Sequence, residues 1–276
     1  MDLETDFRPE RPLILIGAGK MGSALLGGWL SAGLHSESVR VIDPSPSPES
    51  MLLLERHAIV PNDTLESGLL AGAVIVAVKP AMVVEAIGGV RAAIDSGTVV
   101  VSIAAGQRIA TIEAAAGNVP VVRAMPNTPA QVRRGITAAV GNSAADDSTR
   151  RITTALLEAV GDVVWLDDEE LMDAVTAVSG SGPAYVFLMV EAMAKAGEAA
   201  GLPPDLAMRL ARVTVAGSGE LMRLSELDAA DLRRNVTSPN GTTAAALNVL
   251  MADGGLVDAV ERAVAAAEAR SKELSG

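Results

Sequence analysis

The chain has no cysteine, only two histidines and only five aromatic residues among its 276. Without cysteine it forms no disulfide and offers no thiolate nucleophile, which suits a reducing, cytoplasmic setting. His35 and His57 stand far apart, without the close spacing of metal ligands, so no metal site is expected. Basic residues are also in short supply: 22 Lys and Arg against 34 Asp and Glu leave a net charge of -12. Nucleic acids and anionic membranes are bound by clustered Lys and Arg, so the balance points to small neutral or zwitterionic partners. Long apolar runs are missing too. Mean hydropathy is high, at +0.34, yet Gly, Lys and turn residues interrupt every stretch before the roughly 20 residues a membrane helix needs. A soluble protein is expected, with a core of Ala, Val, Leu, Ile and Met.

The first residues, Met1 to Pro12, are charged and acidic rather than basic and apolar, unlike a signal peptide. Residues 1–11 read as a flexible lead-in. Leu13-Ile14-Leu15-Ile16 then forms a continuous apolar run, the pattern of a strand buried on both faces, and enters Gly17-Ala18-Gly19-Lys20-Met21-Gly22 directly. A helical pattern follows to Gly33, then a second strand, Val39 to Ile42, with Asp43 at its end. Strand, glycine turn, helix, strand and acid, in that order, is the dinucleotide-binding arrangement. Gly17 serves the tight turn, Gly19 the backbone approach to a pyrophosphate, and Gly22 close packing of helix on strand. Asp43 is placed to accept from a ribose 2′-hydroxyl, which favours NAD. The hydroxyls of Ser45 and Ser47 offer room for the 2′-phosphate of NADP if Asp43 turns away, so the sequence leaves the preference open.

Further apolar strands are expected at 73–78, 98–103, 120–124, 136–140 and 163–165, with helices at 49–56, 81–94, 109–115 and 147–160 between them. Their small or polar ends fall where ligands of open α/β sheets bind. Lys79-Pro80, Ala104-Ala105-Gly106 and Asn127 are therefore candidates for the pocket lining. After Trp165 the strands cease. Helical patterns fill 169–178, 183–200, 204–224, 228–236, 242–251 and 256–274. We expect an α/β fold: a Rossmann-type dinucleotide-binding domain with a mainly parallel sheet over 12–166, then an all-helical domain over 167–276. Ala184 to Val190 is apolar all round, which calls for burial on more than one side and makes a second copy of the chain the natural partner.

Within the helical half, Ser238-Pro239-Asn240-Gly241-Thr242-Thr243 stands out. Pro and Asn-Gly favour a turn, Thr is able to cap the helix that follows, and such a helix start presents unpaired N–H groups to an anion.

Taken in order, Leu15 to Gly22, Ala77-Val78-Lys79-Pro80, Ser102 to Gly106, Arg123 to Pro129, Ser179 to Tyr185 and Ser238 to Thr243 resemble the motif series of pyrroline-5-carboxylate reductase over nearly the whole chain. The resemblance implies reduction of 1-pyrroline-5-carboxylate to L-proline, the last step of proline synthesis. It implies NADPH as the favoured hydride donor with NADH possible, a cytoplasmic enzyme, and helical domains that interlock as a dimer, often within larger rings. By motif, Gly17, Ala18, Gly19, Lys20, Met21, Gly22, Ala77, Val78, Lys79, Pro80, Ile103, Ala104 and Ala105 would contact the dinucleotide. Ser238, Asn240, Gly241, Thr242 and Thr243 would contact the imino acid, with backbone N–H groups holding its carboxylate and Thr243 assigned to the ring nitrogen. The family usually has Gly where this chain has Asn240, and a His-Pro pair where it has Leu227-Asp228. Asn tolerates positive φ, so the turn is expected to survive; the second change bears on the pocket mouth. Two alternatives remain at this level. One is a dehydrogenase of the β-hydroxyacid type, for which Lys195 is the mid-helix candidate. The other is a protein that binds NAD(P)H and turns nothing over.

Overall fold

A computed structural model describes residues 7–275. Packing of the backbone divides the chain into two units, residues 1–180 with 268–276 and residues 181–267.

The first unit is built on strands β1 (Leu13–Ile16), β2 (Val39–Ile42), β3 (Ala73–Val76), β4 (Val99–Ser102), β5 (Val121–Met125), β6 (Gly135–Gly141) and β7 (Gly161–Trp165). They lie in the order β2-β1-β3-β4-β5-β6-β7. The first five run parallel, β6 is antiparallel to β5, and β7 is parallel to β6. The reversal has a simple cause. Only residues 126–134 separate β5 from β6, whereas a parallel return needs a crossover of a dozen residues or more.

Helices α1 (Lys20–Ser31), α2 (Pro48–Arg56), α3 (Val83–Val90), α4 (Ile109–Ala116) and α5 (Asp147–Glu158) cover both faces of the sheet. Alternate strand residues sort cleanly between them. Leu13, Leu15, Val41, Ile75 and Val101 pack with Leu25, Leu26 and Trp29 of α1 and Leu156 and Leu157 of α5. Ile14, Ile16, Val74, Val76 and Val100 pack with Val83 and Ile87 of α3 and Ile112 of α4. Trp29, fully buried, donates its indole N–H to the Leu156 carbonyl at 2.7 Å and so ties α1 to α5. The long helix expected over 81–94 is instead a 3₁₀ turn, α3 and a second 3₁₀ turn, with the poor helix formers Gly88 and Gly89 near the break.

Two segments differ from the sequence reading. Residues 7–11, taken as part of a flexible lead-in, are anchored at both ends, with 8–10 exposed between. Phe7 is buried in the core, and Arg11 reaches Asp95 with two hydrogen bonds of 2.5 and 3.2 Å. Residues 1–6 lie outside the described part. The helix expected over 169–178 is a 3₁₀ turn (Glu169–Leu171), a single turn α6 (Met172–Val175) and a π-helical stretch (Thr176–Gly180). Thr176 and Ser179 donate to the carbonyls four residues back, a habit that bends helices. This segment packs on the sheet: Met172 is buried against it, and the buried Arg123 of β5 pairs with Glu169 at 2.8 Å. That packing carries the first unit past Leu166 to Gly180.

The second unit comprises α7 (Gly182–Ala199), α8 (Pro204–Leu224), α9 (Ala229–Asn235), α10 (Thr242–Leu250) and the first part of α11 (Leu256–Ser275). Gly197 of α7 faces Ala207 of α8, so small residues let the two helices approach closely. Its buried hydrophobic residues, among those described, are Ala194, Ala207 and Ala211, while Phe187, Leu188, Leu224 and Val249 are each more than 60% exposed. The last turns of α11 belong to the first unit. There the buried Asp173 accepts from Ser271 at 2.5 Å and from Ser275 at 3.3 Å. Leu274 lies against Gly106, where an added Cβ would stand 3.3 Å from its carbonyl oxygen. Among the described residues no helix is long and apolar enough to cross a membrane.

Candidate active site

β1 is flanked by β2 on one side and β3 on the other, so the chain order reverses around it and its carboxyl end opens the crevice where such sheets bind ligands. Gly17 leaves β1 with φ +93, and a Cβ there would meet the Ala77 carbonyl oxygen at 2.8 Å. Any side chain at Gly17 is therefore both strained and blocked. At Gly22 a Cβ would drive into the Gly17 carbonyl oxygen and stand 3.3 Å from Ala77 Cβ. Gly19 is different: nothing lies within 4 Å of a Cβ built there. It is the N-cap of α1, has no side-chain cap, and begins a first turn without acidic residues. The helix start at Gly19, Lys20 and Met21 thus keeps open backbone N–H groups and an exposed Lys20, which is the donor set a pyrophosphate needs. The cradle fits a dinucleotide.

The peptide of Ala18 is held from both sides. Its N–H donates to Asp43 Oδ2 at 2.7 Å, while the hydroxyls of Ser50 and Ser23 reach its carbonyl at 2.5 and 2.9 Å. Asp43 Oδ1 accepts from the Ser45 N–H at 2.9 Å, so both carboxylate oxygens are already engaged by backbone. Ser47 caps α2 by accepting from the Ser50 N–H. Sequence spacing does not reveal this clamp, because Asp43 and Ser50 reach Ala18 across 25 and 32 positions.

Ala77 and Val78 follow β3, and Lys79 is the exposed N-cap of a 3₁₀ turn begun by Pro80. Ile103 and Ala104 are buried just past β4, with Ala105 exposed beside them. All of them lie just beyond the carboxyl ends of β3 and β4. Asn127 is buried, and its Oδ1 accepts from the Ile136 N–H at 3.0 Å, so this residue also ties the β5–β6 connection to the start of β6. Arg108 and the Ile109 N–H at the start of α4 are held by Glu170 and Glu169, at 3.0 and 2.9 Å, which steadies the loop after β4.

In the second unit, Asn240 takes φ +59, the left-handed conformation that Asn adopts more readily than other residues with a side chain. The Gly241 N–H closes the turn on the Ser238 carbonyl at 3.1 Å, and the Ser238 hydroxyl occupies the space a Cβ on Gly241 would need. The expected Thr cap does not form. Because Asn240 swings the chain, Gly241 becomes the N-cap of α10 and Thr242 and Thr243 its first helical residues. No side chain caps this helix and no acid sits in its first turn. Thr242 is exposed and Thr243 half-buried. At the other departure from the family pattern, Asp228 is the N-cap of α9 and accepts from the Asp231 N–H at 2.7 Å. Lys195 is exposed on α7, so the β-hydroxyacid alternative gains nothing from it.

A Rossmann-type unit with a phosphate-ready glycine turn, joined to a helical unit that exposes large apolar side chains, defines a dinucleotide-dependent oxidoreductase that self-associates. Residues 169–274 match pyrroline-5-carboxylate reductase dimerisation, and residues 13–106 match the NADP oxidoreductase, coenzyme F420-dependent, family. The chain is similar to the pyrroline-5-carboxylate reductase of Pseudomonas aeruginosa, 41% identical over 95% of this chain and 96% of that one. It is 35% identical to that of Pisum sativum over 94% of each. Among solved structures, the pyrroline-5-carboxylate reductase of Coxiella burnetii superposes with a TM-score of 0.89 at 32% identity, covering 97% of this chain and 99% of that one. That of Plasmodium falciparum, solved with NADP bound, gives 0.80 at 28%, over 97% and 99%. The chain belongs to the pyrroline-5-carboxylate reductase family.

Proposed function

We propose that this protein reduces 1-pyrroline-5-carboxylate to L-proline in the cytoplasm, with the sheet-bearing first unit binding NAD(P)H and the helical unit holding the imino acid and joining copies of the chain. The observation that carries the substrate assignment is the uncapped, acid-free start of α10 behind a left-handed Asn240. Backbone N–H groups at Gly241 to Thr243 suit a carboxylate, which the partial positive charge of a helix N-terminus favours. The Thr243 hydroxyl lies one residue further on, suited to hydrogen-bond the ring nitrogen and keep it oriented. When bound, NAD(P)H supplies the hydride. The chain's own residues have the simpler tasks: Gly17 and Gly22 let backbone come close, Gly19 to Met21 present N–H groups, and the 104–106 loop offers small residues against which a flat ring rests. Metal is not called for, and a net charge of -12 argues against nucleic acid as a partner.

The test is a steady-state assay with pyrroline-5-carboxylate. Thr243→Ala and Thr243→Val are expected to lower kcat/KM at least tenfold while leaving NAD(P)H binding unchanged. Wild-type kcat/KM in both variants would remove Thr243 from the proposed role. Dinucleotide binding without any turnover of the imine would leave the protein a non-catalytic binder.

A further inference from the structure

We propose that Asp43 is a fixed carboxylate that makes the dinucleotide site select NADH over NADPH, against the NADPH preference the family resemblance implies. The inference rests on the dinucleotide-binding part of the function proposed above and deepens it. A 2′-phosphate beside Asp43 would be accommodated only if that side chain swung out of the way. Here it is tied down in two directions at once, by the Ala18 N–H to Oδ2 at 2.7 Å and the Ser45 N–H to Oδ1 at 2.9 Å. Moving it would leave the Ala18 N–H without its acceptor and loosen the glycine turn whose carbonyl Ser23 and Ser50 hold from the other side. The backbone of Asp43 is held as well, because its N–H donates to the Asn62 carbonyl at 3.2 Å.

Charge around the site points the same way. A site for a 2′-phosphate ordinarily supplies an Arg nearby. Between Asp43 and Glu55 there is no Lys or Arg at all, and the segment carries Glu49 in the first turn of α2. The neighbouring strand-like segment that pairs Asn62 with Ile42 continues into Asp63. Arg40, the cation of β2, is engaged at the opposite end of the strand, donating to the carbonyls of Glu37 and Val39. Lys20 follows β1 rather than β2, beside the turn expected to take the pyrophosphate. A ribose 2′-hydroxyl, by contrast, suits Asp43 as it stands: an ionised carboxylate has about four acceptor positions, and two are still open.

Isothermal titration of the purified full chain with NADH and with NADPH tests this without any turnover. The expected result is a Kd at least tenfold lower for NADH in 50 mM salt. The ratio should narrow in 1 M salt, where the screening length falls to about 3 Å and like-charge repulsion is damped. Asp43→Ser and Asp43→Asn are expected to move the ratio at least tenfold toward NADPH, with thermal melts checking that each variant is folded. Equal or tighter binding of NADPH by the wild-type chain overturns the proposal whatever the variants do. So does a wild-type ratio that salt leaves unchanged, since the selectivity would then not be electrostatic. Failure to bind either dinucleotide would instead overturn the function proposed above. The assay with pyrroline-5-carboxylate, run with both cofactors, separates loss of selectivity from loss of the reaction.

Discussion

Two glycines three residues apart in one turn are expected to respond to the same substitution in opposite ways. At Gly22 an added methyl brings a helix-propensity gain of about 1 kcal/mol, since Ala is the better helix former. Against it stands a collision with the Gly17 carbonyl oxygen and an approach of 3.3 Å to Ala77 Cβ. The blocking atom is backbone rather than the tip of a side chain, so relief requires shifting α1 from the sheet, an overpacking cost of about 1–3 kcal/mol or more. Because the clash is with backbone the cost lies at the top of that range, so the collision wins by about 2 kcal/mol, and Gly22→Ala should lower Tm by roughly 4–8 °C at about 2–4 °C per kcal/mol. At Gly19 the methyl meets nothing within 4 Å, and the backbone, at φ -69 and ψ -168, is ordinary for any residue. Only the N-cap preference for Gly over Ala opposes it, on the order of 0.5 kcal/mol. Gly19→Ala should therefore melt within about 2 °C of wild type. In the proposed dinucleotide site, however, its methyl would stand where the pyrophosphate has to approach, so Kd for the preferred dinucleotide should rise tenfold or more. Thermal melts and isothermal titration on the two variants decide the matter. If Gly19→Ala is destabilised as strongly as Gly22→Ala, or binds dinucleotide within twofold of wild type, the division into a packing glycine and a ligand glycine is wrong.

Two further outcomes follow from geometry elsewhere. Asn240→Gly should leave Tm and the imine KM close to wild type, because Gly also accepts φ +59, whereas Asn240→Val should lose about 1–2 kcal/mol and raise KM, read by thermal melts and steady-state kinetics. The Arg11 hydrogen bond, aided by the Gly97 N–H and Thr98, holds the Asp95 carboxyl below its ordinary value. Its contribution to stability is present above the unfolded-state pKa, near about 4, and is lost as pH falls through the lower folded-state value. Both side chains are more than a third exposed, so solvent screening limits the pair to about 0.5–1 kcal/mol. Asp95→Asn should accordingly melt a few degrees below wild type at pH 7, and the two proteins should converge in acid, once pH has fallen below the lowered folded-state value. A gap that persists in acid would place the effect elsewhere.

The central strands β1, β3 and β4 were legible because each is a short, largely apolar run buried on both faces, a pattern that needs no tertiary information to see. Glycine-turn chemistry was legible for the same reason: Gly17, Gly19 and Gly22 occupy fixed offsets from β1. What the residues alone did not reveal depends on contacts between distant parts of the chain. The reversed β6 follows from the length of a connection whose endpoints were uncertain by a few residues. The π-helical turn at 176–180 arises from hydroxyls bonding back to carbonyls, which Thr and Ser do in some helices and not in others. From sequence Asp43 reads as an acceptor for a ribose hydroxyl or as a side chain able to turn away. Only its distances to Ala18 and Ser45 distinguish the two. At Ser238 to Thr243 the turn was foreseeable from Pro and Asn-Gly, but the shift of the cap from Thr to Gly241 was not, because it depends on the left-handed geometry Asn240 adopts.

The return of α11 to the first unit has a consequence for how the chain is made. Asp173 leaves the ribosome long before Ser271 and Ser275, which satisfy it, and the 181–267 unit is synthesised in between. At about 5–20 residues per second, that interval lasts roughly 4–17 s. For that time the nascent first unit carries a carboxylate with its hydroxyl partners still missing, and the surface around Gly106 lacks Leu274. The sheet is then complete and Glu169 and Glu170 already steady the loop after β4, but that loop still lacks its contact with Leu274, so the first unit is finished only after the helical unit has been made.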